Sequence, residues 1–128
     1  MSVFCIWCRS DDIESSFDKA THTATYHCNH CNADGTHLVI EGVAVRVNQQ
    51  VFALPRPNRH CDVYEQCIRK IPEYEELCTF DDGVTEGFIL TGGVFVNRKN
   101  AITHAVAIKQ VDPKDVHQPT ELFSEDVW

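Results

Sequence analysis

Four cysteines near the N-terminus have the spacing of a metal site. They form two Cys-x-x-Cys pairs, Cys5/Cys8 and Cys28/Cys31, which are separated by 19 residues. Each pair presents two sulfurs to one ion, and a loop of this length lets the second pair complete the tetrahedral shell that zinc favours. Because four thiolates leave no open coordination position, the pattern predicts one structural Zn²⁺ ion rather than a catalytic one.

Other uses of these cysteines are possible. The N-terminus lacks the basic region and long apolar segment of a secretory signal, so we expect a cytoplasmic location, where disulfides are rare. Iron–sulfur clusters usually have other cysteine spacings. His27 and His30 flank Cys28 and are alternative ligands, although four thiolates already fill the shell. The remaining cysteines lack a paired spacing and are predicted to be buried thiols: Cys61, Cys67 and Cys78.

A second group of residues, in the middle of the chain, could bind an anion. Pro55 and Pro57 restrict the backbone around the first arginine of this group. His60 and Asp62 lie in the first turn of a predicted helix, and Arg98 begins a second predicted helix. The N-terminus of a helix attracts anions. If the two helix N-termini converge, the sequence predicts a pocket for phosphate or carboxylate. The predicted site residues are Arg56, Arg59, His60, Asp62 and Arg98.

The same residues have structural alternatives. Arg59 could pair with Asp62 or Glu65, Arg56 and Arg98 could be solvated, and His60 could be a structural histidine. His60 and Asp62 could also serve a small hydrolase, but this pair is too common to carry that claim. The sequence therefore favours a non-enzymatic protein.

The hydrophobic pattern predicts the strands that must position these sites. A threonine-rich, alternating stretch predicts a strand over residues 21–27, and no strand is predicted in the polar stretch 9–19. Turns at 48–50 and at Gly92-Gly93 predict two hairpins. The further predicted strands are residues 38–40, 43–47, 51–54, 87–90 and 94–96.

Two helices are predicted. The first begins at Asn58 or Arg59, continues for about a dozen residues with apolar residues at helical spacing, and ends at Pro72. The second is capped by Asn97 and ends near Gln110. Shorter elements are predicted at residues 73–77, a helical turn, and 81–83, a turn.

These elements predict an α+β fold. An N-terminal zinc ribbon (residues 1–42) precedes a small domain (43–112) in which two hairpins form an antiparallel sheet with two helices on one face. Residues 113–128 are predicted to be an acidic tail. The net charge of −8 argues against duplex DNA as a partner, yet seven of the eleven basic residues lie in 56–110, which leaves room for a local anion site. No apolar run approaches the ~20 residues of a membrane span.

Two stretches resemble a family of small bacteriophage proteins. The first ends a hairpin with a motif of the form Pro-Arg-Pro-x-Arg-His-x-Asp: Pro55-Arg56-Pro57-Asn58-Arg59-His60-Cys61-Asp62. The second resembles the Gly-Phe…Phe-Val-x-Arg half of the same pattern: Gly87-Phe88, Phe95-Val96-Asn97-Arg98, Ala101, Ala105 and Gln110. The resemblance covers residues 43–110 and departs at Cys61, where a second histidine is common, and at Lys99 and Asn100, where acidic residues are common. The ribbon is an addition found in only some relatives.

The resemblance implies a phage accessory protein in the host bacterial cytoplasm. Our leading hypothesis is a counter-defence protein whose ribbon is a scaffold and whose arginine cluster binds a small anionic, nucleotide-like ligand or an acidic partner surface. An alternative is a protein–protein inhibitor or adaptor that uses its acidic surface. The hydrolase is a second alternative. The oligomeric state is not predicted.

Overall fold

The computed structural model describes residues 3–47, 49–71 and 84–128. Within these ranges it contains seven strands and three helices in two antiparallel sheets, which confirms the predicted α+β class. The strands are β1 (Ile13–Asp18), β2 (Thr23–Cys28), β3 (Asp34–His37), β4 (Ile40–Val47), β5 (Gln50–Pro55), β6 (Val84–Leu90) and β7 (Val94–Asn97). The helices are α1 (His60–Lys70), α2 (Arg98–Ala107) and α3 (Ser124–Val127).

The N-terminal sheet has the order β1-β2-β3. Strand β1 pairs with β2 from Ile13 opposite Cys28 to Asp18 opposite Thr23. We predicted no strand here, and the alternation of half-buried Ile13, Ser15 and Phe17 with exposed polar residues was the signal for it. The sheet turns this half-buried face toward the four cysteines and toward the second sheet.

The second sheet has the order β5-β4-β6-β7 and contains both predicted hairpins. Its core joins valines of β4 to Phe52, Phe88 and Val96 and to buried residues of α1 and α2, so both helices pack on one face. The separate strand predicted at residues 38–40 is wrong, because Ile40 continues into the strand that contains Val43–Val47. At the β6–β7 turn, Gly92 and Gly93 have φ of 88° and 84°, which glycine adopts without strain.

Some predictions fall outside the described residues. These are the helical turn at 73–77, the turn at 81–83 and the position of Cys78; the first helix itself ends at Lys70, just before Pro72, which was predicted to stop it. The turn at 48–50 is described only in part.

The C-terminal segment packs back onto the second sheet. Leu122 is fully buried, and its backbone N–H donates to the carbonyl of Arg98 at 3.1 Å. The ring of Trp128 contacts Phe88, and its Nε1 donates to the carbonyl of Asn58 at 2.8 Å. Among the described residues, no helix has both the length and the apolar character needed to cross a membrane.

The two sheets meet at a joint around Ile40. Gln110 is buried; its Oε1 accepts the N–H of Ile40 at 2.9 Å, and its Nε2 donates to the carbonyl of Ile40 at 3.0 Å. Ala24 of the first sheet packs there with buried Val39 and Ile108. The joint therefore combines an apolar cluster with a pair of buried hydrogen bonds.

Candidate functional site

The two cysteine pairs have the same local backbone. Cys5 and Cys28 each donate a backbone N–H to the carbonyl five residues later, at 2.8 Å in both turns. Each also accepts from the N–H four residues later, at 2.8 Å and 2.9 Å. That fourth residue is Arg9 or Asn32, with φ of 61° or 62°, in the left-handed region. The chain thus builds two equivalent turns, which we call the knuckles (residues 5–10 and 28–33).

The knuckles bring the four sulfurs together. The Sγ atoms of Cys5 and Cys31 are 3.7 Å apart, those of Cys8 and Cys28 are 3.5 Å apart, and all four lie within 4.8 Å of one another. A tetrahedral zinc ion with Zn–S distances of ~2.3 Å requires sulfurs about 3.8 Å apart. The donor set therefore fits a metal ion, and it contains soft thiols from all four predicted cysteines.

The thiols also influence one another's protonation. Burial raises the pKa of Cys5, but the backbone N–H groups of Cys8 and Trp7, together with hydrogen bonds from the thiols of Cys31 and Cys28, lower it to about 6. For Cys8, the N–H of Ser10 lowers the pKa, but desolvation and the neighbouring sulfurs raise it to about 12. Four thiols packed this closely disfavour several thiolates at once, and a bound cation would balance that charge.

Tyr26 supports the first knuckle from the sheet below. It is buried, and its hydroxyl accepts the N–H of Ile6 at 3.1 Å. The ring lies against Gly35, where an added Cβ would be only 2.3 Å from Cζ of Tyr26. The neighbouring histidines are placed differently, since His27 bonds Asp34 at 2.7 Å and His30 is exposed.

Two members of the second predicted group, His60 and Arg98, lie in a polar cluster between α1, β6 and α2. His60 is buried, and its Nε2 donates to the carbonyl of Gly87 at 2.8 Å. Its Nδ1 lies 3.5 Å from a guanidinium nitrogen of Arg98. Arg98 pairs with Glu86 at 2.5 Å and lies over the ring of Phe123 at 4.8 Å from its centroid. His60 and Arg98 are therefore brought together, with the arginine charge already balanced.

Burial is the main reason that the pKa of His60 is lowered. The Gly87 carbonyl opposes this shift, the positive charge of Arg98 adds to it, and the nearby Glu86 and Glu125 oppose it. Tyr64 donates its hydroxyl to Glu86, which ties that carboxylate to α1 as well. The neutral imidazole is consequently held by contacts within the protein.

The other three predicted residues have separate surroundings. Asp62 accepts the backbone N–H of Arg59 at 2.8 Å, as in the capping box of a helix. Nη1 of Arg59 is buried and has no hydrogen-bond partner within the described residues. Arg56 lines a cleft together with Lys19 and Lys109. Binding of one ligand by all five predicted residues stays a prediction.

A comparison with protein families finds a match for the second domain. Residues 39–128 match the family model described as phage T4 y16D protein. The chain belongs to this family. The match begins just before β4 and includes α1, α2 and the C-terminal segment, so the family region extends beyond the residues 43–110 of the predicted resemblance. Searches among curated proteins and solved structures found no match.

The y16D match includes one of the two candidate sites and not the other. The polar cluster of His60 and Arg98 lies inside the matched region, and the four cysteines lie outside it. Sequence reasoning missed Glu86 and Tyr64, which complete the polar cluster. No local motif indicates these two residues, because their meeting depends on the packing of α1 against the sheet.

Proposed function

We propose that this y16D-family chain is a phage accessory protein that acts by binding in the host cytoplasm and holds one structural zinc ion. The observation that carries the proposal is the Cys₄ cluster, whose S–S distances of 3.5 Å and 3.7 Å suit a closed tetrahedral shell. A metal so enclosed contributes folding energy to a sheet that has only a small core of its own.

The contacts of His60 and Asp62 support binding rather than hydrolysis. His60 uses Nε2 on the Gly87 carbonyl, and Asp62 caps the helix that begins beside it. A general base needs a free acceptor within reach of a substrate proton. Here the imidazole is buried and faces an arginine. Turnover of a phosphoester by the wild-type protein that is lost in His60→Ala would contradict this part of the proposal.

The ligand that we propose is a small anion or an acidic partner surface. Seven of the eleven basic residues lie between residues 56 and 110 of an otherwise acidic chain. A long polyanion would meet the repulsion of the net charge of −8, whereas a small ligand can dock locally. Sequestering a nucleotide signal would give such a protein a counter-defence role.

Metal analysis of the purified chain tests the zinc ion. We expect about one zinc per chain. Cys5→Ser and Cys31→Ser should lose it and unfold the N-terminal sheet, because metal binding supplies folding energy there. Cys61→Ser is the matched control, since Cys61 lies on α1 outside the cluster. The prediction that Cys61 is buried is wrong, because this side chain is exposed on the helix. A wild-type chain that is fully folded without metal would refute the structural zinc.

A second candidate function is inhibition of a host protein. Phe4, Ile6 and Trp7, on and beside the first knuckle, are 47%, 65% and 70% exposed, an unusual concentration of apolar surface. Asp11 and Asp12 follow in sequence and are exposed, so a partner with a basic rim around an apolar pocket would fit. Co-purification of a host protein from infected cells, lost in Trp7→Ala but kept in Leu38→Ala (an exposed leucine outside the knuckles), would favour this function.

A further inference from the structure

A cleft of about 510 Å³ opens beside the joint of the two sheets. This volume lies within the range of ~300–1,000 Å³ that is typical of small-ligand sites. Four separate parts of the chain form its walls: the end of β1 with the β1–β2 turn, the residue after β5, the segment that follows α2, and helix α3. The lining residues on which the proposal depends most are Phe17, Lys19, His22, Arg56, Lys109 and Asp112.

The cleft brings three cations together from separate parts of the chain. Lys19, Arg56 and Lys109 line it together, and each belongs to a different segment of the chain. None of them takes part in an ion pair within the ranges that the structure describes. Three carboxylates, Asp112, Asp115 and Asp126, line the same cleft, so its formal charge is balanced. In a chain with a net charge of −8, a cleft of balanced charge that holds three cations without ion pairs is a local exception to the surrounding negative field.

His22 is held in a fixed orientation at the same wall. Its Nε2 donates to the carbonyl of Ile40 at 2.8 Å, and its ring meets the edge of Phe17 at a centroid distance of 5.3 Å. Because a carbonyl only accepts, Nε2 carries the hydrogen in the neutral ring, and Nδ1 is the nitrogen left over. The packing thus positions an imidazole next to the cations.

Other residues that line the cleft can recognise the rest of a ligand. Phe17, Val111 and Val116 provide apolar surface, and Asp112 and Asp115 provide carboxylates that accept hydrogen bonds from hydroxyl or amino groups. One oxygen of Asp112 already accepts the backbone N–H of Lys114 at 2.9 Å, which leaves its other oxygen for a ligand. The third carboxylate of the cleft, Asp126, is engaged by His117 and by the backbone N–H of Phe123. A ligand with an anion at one end and neutral donors at the other would satisfy both the cations and these carboxylates.

We propose that this cleft binds a phosphomonoester of mononucleotide size, with its phosphate between Arg56, Lys19 and Lys109. The proposal rests on the proposed binding function and gives that function a location and a ligand class. It uses one of the five residues predicted from the sequence, Arg56, and adds four that the sequence did not indicate: Lys19, His22, Lys109 and Asp112.

Calorimetric titration of the zinc-loaded full chain at low salt tests the proposal with three probes: 5′-AMP, inorganic phosphate and adenosine. We expect 5′-AMP to bind most tightly, phosphate to compete with it, and adenosine to bind at least tenfold more weakly (about the effect of one lost charge-assisted contact). Arg56→Gln should weaken 5′-AMP binding by about tenfold or more.

Lys109→Gly separates binding from folding. Lys109 has φ of 68°, so glycine at this position relieves backbone strain while it removes the cation. We expect this variant to melt at a higher temperature than the wild type and yet to bind 5′-AMP about tenfold more weakly. Lys114→Gln is the control: Lys114 is exposed and is not among the lining residues of the cleft, so its removal should leave the affinity within about twofold.

The outcomes of these titrations distinguish failure of the cleft site from failure of the proposed binding function. If 5′-AMP binds the wild type but Arg56→Gln and Lys109→Gly bind it equally well, the cleft is refuted and the binding function stands. Loss of binding in Arg98→Gln would then point to the cluster of His60 and Arg98. If the zinc-loaded wild type binds neither 5′-AMP nor phosphate, the phosphomonoester site is refuted, and the proposed function is then judged by metal analysis and by co-purification.

Discussion

At the scale of single residues, the two knuckles use different side chains at the same strained position. Asn32 and Arg9 both have φ near 60°. Asparagine tolerates the left-handed region well, whereas a long side chain with a Cβ costs roughly 1–2 kcal/mol there. The left-handed backbone conformation therefore lowers the stability of the first knuckle more than that of the second.

Arg9→Gly should raise the stability of the zinc-loaded ribbon. We expect a gain of up to about 1 kcal/mol, because relief of strain is partly offset by the greater entropy of glycine in the unfolded chain. Arg9→Ala removes the same charge but keeps the Cβ, so it should give no such gain. Denaturant unfolding followed by circular dichroism measures both. Equal stabilisation by the two variants would show that charge, rather than backbone strain, is responsible.

His60 should make folding sensitive to mild acid. Its pKa is lowered from about 6.5, chiefly by burial, so the unfolded chain binds this proton more readily than the folded chain does. The stabilisation is complete above pH of about 6.5 and is lost as the pH falls from there through the folded pKa. His60→Gln should therefore lose less stability than the wild type between pH 7.5 and pH 5.5, as measured by melting temperature.

His117 is the matched control for this pH dependence. A hydrogen bond from the ring to Asp126 raises the pKa of His117, so its contribution has the opposite sign and is present at low pH. His117→Gln should leave the acid-induced loss unchanged or make it larger. A smaller acid-induced loss of stability in both variants would mean that neither histidine is the source of the pH dependence.

At the scale of elements, local patterns predicted most of the second domain. The alternating runs of β4 to β7 and the Asn97 cap are short-range signals, and the structure contains each of them. Strand β1 was missed because its core-facing positions include Ser15, so its alternation is weak. The packing of residues 122–128 was missed because Leu122 and Trp128 are anchored by residues that are distant in sequence.

Gly35→Ala should weaken the metal site through the sheet. An added Cβ would meet the Tyr26 ring at 2.3 Å, so the ring must move and its hydrogen bond to the Ile6 N–H beside Cys5 would be lost. We expect a destabilisation on the order of 1–3 kcal/mol and weaker zinc binding in competition with a chromophoric chelator. Gly93→Ala is the control, because it strains a turn of the second sheet and should leave zinc affinity unchanged. Unaltered zinc affinity in Gly35→Ala would contradict the coupling.

At the scale of the whole molecule, the candidate sites differ in how far the sequence indicates them. The cysteine cluster was predictable because each pair is a local turn and only the pairing of two turns is long-range. The cleft was not predictable, since Lys19, Arg56 and Lys109 meet only when the two sheets dock. Whatever holds the sheets together therefore also assembles the cleft.

Gln110 is the residue on which that docking depends most directly. Its amide bonds both the N–H and the carbonyl of Ile40, where the chain passes from the first sheet into β4. His22 donates to the same carbonyl from the β1–β2 turn. Removal of the amide would leave the Ile40 N–H buried without its partner, a loss of about 1–3 kcal/mol.

We therefore expect Gln110→Ala to uncouple the two sheets. In calorimetry with a zinc-sensitive dye, the wild type should unfold in one transition that coincides with metal release. The variant should release metal at a lower temperature, before the second sheet melts, because the apolar contacts of Ala24, Val39 and Ile108 alone would hold the joint. Gln110→Glu keeps an acceptor for the Ile40 N–H but sets a carboxylate against the Ile40 carbonyl, so it should uncouple the sheets at least as strongly. A single transition in Gln110→Ala, with metal release at the wild-type temperature, would show that the apolar cluster is sufficient to hold the two sheets together.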